Sequence, residues 1–573
     1  MSSPNDAERE RSEQTDNAGG PETGLVPPGM DTGDFLGSMA SVLTRAALRP
    51  ADVAAASLRF GANLAQIGPA AFSRWLGQEP QPPFPPDPKD RRFADPAWEQ
   101  NPAFYALRQW YLAARKYGEE VLRAGESGPV TDGKARMLGG LLGDALAPTN
   151  YLLTNPAALK RAFETGGASV LAGARNFADD LAHNGGRPQQ VDRSSFTLGE
   201  NLAATEGKVV FRNELMELIQ YTPQTEQVHA VPLLATPPWI NKYYIMDLAP
   251  GRSFLEWAVQ HERTVFTISW RNPPPSMHDV TLEDYLTSGL RTAVDVVADI
   301  TGADKIDIVG LCLGGALTAM LAAHMAATGD KRINSMTLLN TLLDYSKPGI
   351  LGNFTDEQTV AQLERQMAGT GVLDGARMAG TFDLLRANDL IFSYVVTNWL
   401  MGQSPPAFDI LAWNADSTRL PAAMHSFYLR SLYLRNELAN GELTLDGQRL
   451  ALADIISDTY VVGAVNDHIV PWEASYQASR LLGADVRYVL SSGGHIAGIV
   501  NPPGPKARYE AMTEEYPPSP AEWRAAATAT EGSWWEDWAE WSARRAGPLG
   551  PPPPMGSDRH PPLDDAPGRY VRD

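Results

Sequence analysis

The stretch Gly310-Leu311-Cys312-Leu313-Gly314-Gly315 directly follows a mostly apolar, β-branched run, Ile306-Asp307-Ile308-Val309, and leads into a segment dominated by Ala, Leu and Met. A G-x-C-x-G placed between a strand and a helix constrains the fold more than any other feature of the chain. The central residue sits on a tight, strained turn, and the flanking glycines let strand and helix approach closely. Cys312 is the one cysteine in 573 residues. A lone cysteine is ordinarily a small buried hydrophobe. Strand, elbow and helix in succession point instead to a sulfur nucleophile.

The rest of the chain fits around that elbow. Short β-rich runs alternate with helical stretches after about Gly186: Lys208-Val209-Val210-Phe211, Thr264 to Ile268, Ile306 to Val309, Thr337-Leu338-Leu339, Thr459 to Val462 and Val486 to Leu490. Such alternation predicts an α/β fold, a mostly parallel sheet with helices on both faces. Residues 1–33 are polar and poor in apolar side chains, so they are expected to lack structure. An N-terminal helical domain is expected over 34–186, with apolar spacings of three and four at Leu36, Met39 and Leu43 and again at Phe104, Leu107 and Tyr111. The catalytic domain is assigned to 187–547. Within it, about 345–443 loses the β pattern and reads as a helical cap inserted over the site. Ser533 with Glu536 forms a capping box ahead of Trp534, Trp538 and Trp541, a stripe expected to dock on the core or on another subunit. The Pro-rich tail 548–573 is expected to be disordered.

Composition narrows the function. A formal charge of −20 argues against non-specific nucleic-acid binding, which depends on Lys and Arg neutralising phosphates. The same field repels a polyanionic substrate at long range, so such a substrate requires a local cationic site. No secretory leader is visible, and the longest apolar run falls short of a membrane span. One cysteine rules out a disulfide within the chain and suits a reducing compartment, so a cytoplasmic protein without an integral membrane span is expected.

An elbow nucleophile needs a base from a loop after a later strand. Thr459 to Gly463 leads into Val465-Asn466-Asp467-His468, and Val486 to Leu490 leads into Gly493-Gly494-His495. Nucleophile, acid, histidine is the order this fold uses, so Cys312, Asp467 and His495 form the expected triad. A free thiol has a pKa near ~8.5 and needs a neighbouring imidazole to become thiolate at neutral pH. The imidazole in turn needs a carboxylate to hold its tautomer and charged form. His468 is the competing base, disfavoured because it adjoins Asp467 and precedes a packed-looking loop. For the oxyanion, the backbone N–H of Leu313 is the first expected donor, and Ile240 or Trp239 in the loop Pro237 to Lys242 supplies the second. No metal and no cofactor are called for.

Taken in order, these motifs resemble the class I polyhydroxyalkanoate synthases. The resemblance rests on Arg92-Phe93-Ala94-Asp95-Pro96-Ala97-Trp98, Pro237-Pro238-Trp239-Ile240-Asn241-Lys242, Ser269-Trp270-Arg271-Asn272-Pro273, the elbow, Leu385-Arg386-Ala387-Asn388-Asp389-Leu390, Asp467-His468-Ile469-Val470-Pro471-Trp472 and Gly494-His495-Ile496-Ala497-Gly498. It implies an α/β-hydrolase core with a cap, and polymerisation of (R)-3-hydroxyacyl-CoA, short acyl groups such as 3-hydroxybutyryl favoured, with CoA released. It further implies that Cys312 carries the acyl group, that His495 activates it and that Asp467 helps activate the incoming 3-hydroxyl. The family works as dimers at the surface of polyester granules. Arg386 is a candidate for the CoA phosphates, a surface salt bridge being the equal alternative, and His468 is a second candidate substrate contact in the cap region. Two other readings stand beside it: a cysteine-dependent thioesterase or esterase, which uses the same triad, and a non-catalytic granule scaffold, suggested by the helical N-terminus and the tryptophan stripe.

Overall fold

The computed structural model describes residues 32–573 apart from Lys89 and Glu514; all but the last two residues of the segment expected to lack structure, 1–33, lie outside it. The N-terminal region is helical: α1 (Thr32–Ala47), α2 (Pro50–Trp75), α3 (Pro102–Ala124), α4 (Pro129–Ala145) and α5 (Ala168–His183). Proline opens three of them, where its missing N–H costs nothing and its fixed φ suits a first turn. The side chain of Asn101 caps α3 by accepting from the N–H groups of Ala103 and Phe104.

The core is an eleven-stranded sheet. Its strands are β1 (Gly207–Arg212), β2 (Met216–Tyr221), β3 (Leu233–Thr236), β4 (Val265–Trp270), β5 (Ile306–Leu311), β6 (Ile333–Leu339), β7 (Asp458–Ala464), β8 (Val486–Ser491), β9 (Arg508–Ala511), β10 (Thr528–Glu531) and β11 (Asp564–Asp565). They lie in the order β10-β9-β8-β7-β6-β5-β3-β4-β2-β1-β11. The six central strands from β4 to β8 are parallel, and the strands flanking them on both sides are antiparallel. Along β5 the side chains alternate between two cores: Ile306 and Ile308 pack into one, Val309 and Leu311 into the other. A strand buried on both faces reads as a near-continuous apolar run, which is why β5 was legible and why the elbow at its end points to the carboxyl edge of the sheet.

Four further helices position the site. The elbow opens α6 (Leu313–Thr328); the cap contains α7 (Glu357–Thr370), α8 (Gly375–Leu385) and α9 (Ala422–Phe427), the last continuing into a π-helical turn, Tyr428–Leu434. The β pattern does not vanish in this segment: Val372–Leu373 pairs with Leu420–Pro421, and Thr444–Leu445 with Gln448–Arg449. These ladders are two residues long, too short for an alternation to show in sequence. The N-terminal helices clamp the cap. Trp399 Nε1 donates to Asp180 at 2.7 Å, and the buried Lys134 ammonium bridges Asp34 of α1 and Asp356 at the start of α7.

Near the C-terminus, α10 (Trp534–Ala543) has the predicted capping box, and its tryptophans are buried on the core, with Trp538 against Phe254 and Trp541 against Tyr460. The expectation of a disordered tail over 548–573 requires correction. Residues of β11 pair with β1, Lys208 and Arg212 form ion pairs with Asp565 and Asp564, and the buried Glu217 carboxylate accepts the N–H groups of Arg569 and Tyr570 at 2.9 and 3.0 Å. Proline-rich sequence cannot form a helix, but an extended strap with such partners on a sheet edge offsets its ordering cost. Among the described residues no helix is long and apolar enough to cross a membrane.

Candidate active site

Cys312 sits between β5 and α6 with φ 53° and ψ −113°, a left-handed backbone that an L-residue adopts only under constraint. Its N–H donates to the Leu339 carbonyl at 2.8 Å, tying the turn to β6. The glycines are steric requirements. A Cβ on Gly310 would meet Gly315 Cα at 2.5 Å, and one on Gly314 would strike the Thr236 carbonyl at the end of β3. That second contact brings the start of α6 against the Pro237–Lys242 loop. Leu313 is the first residue of α6, so its N–H has no acceptor within the helix.

The two other residues of the expected triad arrive from the ends of β7 and β8, beyond β6 in the sheet. Asp467, in the loop after β7, accepts the N–H groups of Ile469 and Val470 on one oxygen at 2.8 and 2.9 Å. Its other oxygen accepts from His495 Nδ1 at 2.7 Å. The His495 loop follows β8 and is braced from behind: Trp534 and Trp535 donate their indole N–H groups to the carbonyls of Gly498 and Ile499, and Asn340 to that of His495 itself. The tryptophan stripe of α10 therefore positions the histidine loop.

Burial opposes charge on the His495 imidazole, but the Asp467 carboxylate and then Cys312, which acts on the ring by charge and by hydrogen bonding, outweigh it and push it up to about 10. Because the folded value lies above the 6.5 of an unperturbed ring, the stabilisation from this pairing is fully present below 6.5 and is lost as pH rises through about 10. A ring-proton NMR titration of His495 should accordingly show it charged through neutral pH, and Asp467→Asn should pull the midpoint down. A midpoint near 6.5 in the unsubstituted protein would contradict this arrangement.

Cys312 faces a wall of three cap tyrosines, Tyr345, Tyr428 and Tyr433, packed edge to face at centroid distances of 4.9 to 6.4 Å. Burial raises all three hydroxyls, and the charge of Cys312 adds to it. In sequence these residues read as packing, since aromatic side chains at helical spacing carry no mark of what they face. His468 lies close by. Burial, then the charges of His495 and Arg386, holds its ring down to about 4, so it is neutral and poorly suited to serve as the base. Arg386 forms an ion pair with Asp389, and both side chains are about half exposed. Both residues line, with Tyr345 and Tyr433, an open cavity of about 1170 Å³.

The Pro237–Lys242 loop is held at every turn. Trp270 Nε1 donates to the Pro237 carbonyl at 2.9 Å, and Trp413 Nε1 to that of Lys242 at 2.7 Å. The Thr418 hydroxyl donates to the Trp239 carbonyl at 3.1 Å and accepts the Asn241 N–H at 2.9 Å, where Asn241 has φ 62°. The Lys242 ammonium is buried among the carbonyls of Tyr570 and Asp573 from the C-terminal strap. With the Asn241 N–H already used, the loop keeps the N–H groups of Trp239 and Ile240, the two expected second donors. Thr418→Val should loosen this turn and lower kcat by about tenfold, less than the ~10²–10³ that outright loss of an oxyanion donor costs, with KM little changed; steady-state kinetics on the purified variant checks it. Asp247 is buried and accepts from Thr205, Ser253 and Tyr221, a structural carboxylate remote from this chemistry.

A cysteine at a strand–elbow–helix turn, with a histidine and a carboxylate on successive later strand ends, is the layout of an α/β-hydrolase, and the sequence description of the alpha/beta hydrolase fold matches residues 245–502. Residues 89–258 match the description "Poly-beta-hydroxybutyrate polymerase (PhaC) N-terminus". The chain is 43% identical over 525 residues to a poly(3-hydroxyalkanoate) polymerase of Methylorubrum extorquens, spanning 90% of this chain and 86% of that one. It is 40% identical over 554 residues to poly(3-hydroxyalkanoate) polymerase 1 of Ectopseudomonas oleovorans, spanning 96% and 97%. To the polymerase subunit PhaC of Cupriavidus necator it is 43% identical over 490 residues, spanning 84% and 83%. The chain belongs to the poly(3-hydroxyalkanoate) polymerases, a family of acyltransferases.

Proposed function

We propose that the chain polymerises (R)-3-hydroxyacyl-CoA thioesters, 3-hydroxybutyryl-CoA foremost, into polyester through Cys312, His495 and Asp467. The observation that carries this reading is the imidazole of His495 held between the Asp467 carboxylate and Cys312. The charged His495 ring is the partner that a cysteine needs to react as a thiolate. Cys312 Sγ attacks the thioester carbonyl, the C–S bond to CoA breaks, and the leaving sulfur takes the proton from His495. The developing oxyanion is met by the N–H groups of Leu313 and Ile240. Thioester formation removes the Cys312 charge from His495, so the ring can now accept the proton of an incoming 3-hydroxyl as that oxygen attacks the acyl carbon, the C–S bond to Cys312 breaks, an ester forms and the sulfur is freed for the next round. Asp467 supports the charged ring in this second step. Exchange of one thioester for another is close to thermoneutral, ester formation runs downhill, and neither requires a cofactor or metal.

Water is the competitor, and the buried tyrosines and apolar cap around Cys312 favour transfer to a hydroxyl over hydrolysis. Purified protein given 3-hydroxybutyryl-CoA should release CoA and precipitate polyester; free hydroxyacid without polymer would make it a thioesterase. The same reading takes Arg386, on the open cavity, and His468, beside Asp467 and near His495, as contacts for the CoA portion of the substrate. It also includes a homodimer working at the surface of polymer granules in the cytoplasm. Exposed apolar side chains on the N-terminal helices, among them Leu48, Leu58 and Trp75, support an apolar docking partner of that kind.

A further inference from the structure

A second cavity of about 360 Å³ lies under the cap, walled by Leu363 of α7, Phe382 of α8, His425 of α9, Ile240, Tyr428 and Tyr433. It shares Tyr433 with the open cavity that Arg386 lines, so a tyrosine of the wall that faces Cys312 borders both. The inner one is at the small end of the ~300–1,000 Å³ typical of ligand sites. That is room for acyl or short ester units rather than for a coenzyme. Its wall is mostly apolar but also carries Gln362, Gln366 and Arg377, the last donating to Gln366, and the buried His425. His425 is 3% exposed, and its Nδ1 has no hydrogen-bond partner in the protein. Buried polar atoms are nearly always satisfied, so an unsatisfied one on a cavity wall points to a ligand that completes it.

Burial lowers the His425 ring to about 4. The neutral imidazole therefore offers one N–H donor and no charge. A polyester chain presents apolar substituents with a carbonyl acceptor in every repeat, which matches a mostly apolar chamber with a buried neutral donor. A plain acyl chain has no acceptor to offer that donor.

We propose that the inner cavity receives the ester units of the growing chain nearest Cys312, and that His425 donates a hydrogen bond to an ester carbonyl there, favouring oligoester over plain acyl chains. This rests on the polymerase reading of the site. The probe is the methyl ester of the linear (R)-3-hydroxybutyrate trimer, used as a competitor of steady-state CoA release beside a methyl alkanoate of equal length that lacks internal esters. The unsubstituted protein should prefer the trimer by about tenfold, the worth of one good hydrogen bond. His425→Phe should abolish that preference and shorten the polymer, while the first burst of CoA from 3-hydroxybutyryl-CoA stays unchanged. His425→Asn, which keeps a donor, should retain the preference. Should His425→Phe not fold, His425→Leu takes its place with the same expected reading. Equal inhibition by the two competitors in the unsubstituted protein, or a preference untouched by removing the donor, overturns the proposal. Failure of the polymerase reading shows separately, as CoA release without polymer whatever stands at position 425.

Discussion

Cys312→Ala is expected to lower CoA release from 3-hydroxybutyryl-CoA by at least about 10⁴-fold, the scale on which covalent catalysis fails when its nucleophile is removed. The loss should be chemical rather than structural. The side chain is only partly buried, and the strained turn is imposed by the close packing of Gly310 and Gly314 and by the Cys312 N–H bond to Leu339, all of which alanine preserves. A thermal melt near that of the unsubstituted protein, together with an absent burst in a thiol-trapping assay, completes the test. Removing the thiol also removes the charge that helps hold His495 protonated, so the ring's titration should fall in the same variant. CoA release above a few per cent of the original would exclude the covalent route and leave a scaffold or an uncharacterised nucleophile.

Asp467→Asn should separate the two half-reactions. In the resting enzyme Cys312 itself supports the imidazolium, so acylation keeps one of its two stabilising partners when the carboxylate is lost. In the acyl-enzyme the sulfur is neutral, and Asp467 is the remaining charge that favours proton uptake from the hydroxyl. Elongation is therefore expected to fall by about 10³–10⁴-fold, as when the acid of a related triad is neutralised, while the single-turnover burst of CoA retains a clearly larger fraction of its rate. Rapid-quench measurement of the burst beside polymer yield reads both. Equal losses in the two would contradict this division of labour. Two bonds from the Ile469 and Val470 N–H groups fix one carboxylate oxygen, and an asparagine oxygen can keep them, so gross displacement of the loop is not expected.

Much of the catalytic core was visible before any coordinates. Gly310 to Gly315 after an apolar run could serve few purposes other than an elbow, and Asp467 and His495 each followed a β-rich run in the order the elbow requires. Local signals sufficed because each residue's placement is set by its own strand end. The antiparallel flanks were harder. Met216–Tyr221 and Thr528–Glu531 form β2 and β10, yet neither carries a pattern that separates strand from loop. The C-terminal strap was misread because proline content reports on helix and sheet propensity, whereas its order comes from Asp564, Asp565, Arg569 and Tyr570 meeting charges and carboxylates over 350 residues earlier in the chain.

The elbow cysteine and the histidine and carboxylate that meet beside it, the layered α/β class and the presence of a cap are all written in short segments, because elbows, strand ends and apolar periodicity are local properties of a chain. Which cap side chains face the sulfur, that α10 braces the histidine loop, that Lys242 is seated in the strap, and that His425 stands with an unpartnered nitrogen beside a cavity depend on packing between segments far apart in sequence. A tyrosine or histidine looks the same in a sequence whether it fills a core or lines a chamber; its neighbours across the fold make the difference.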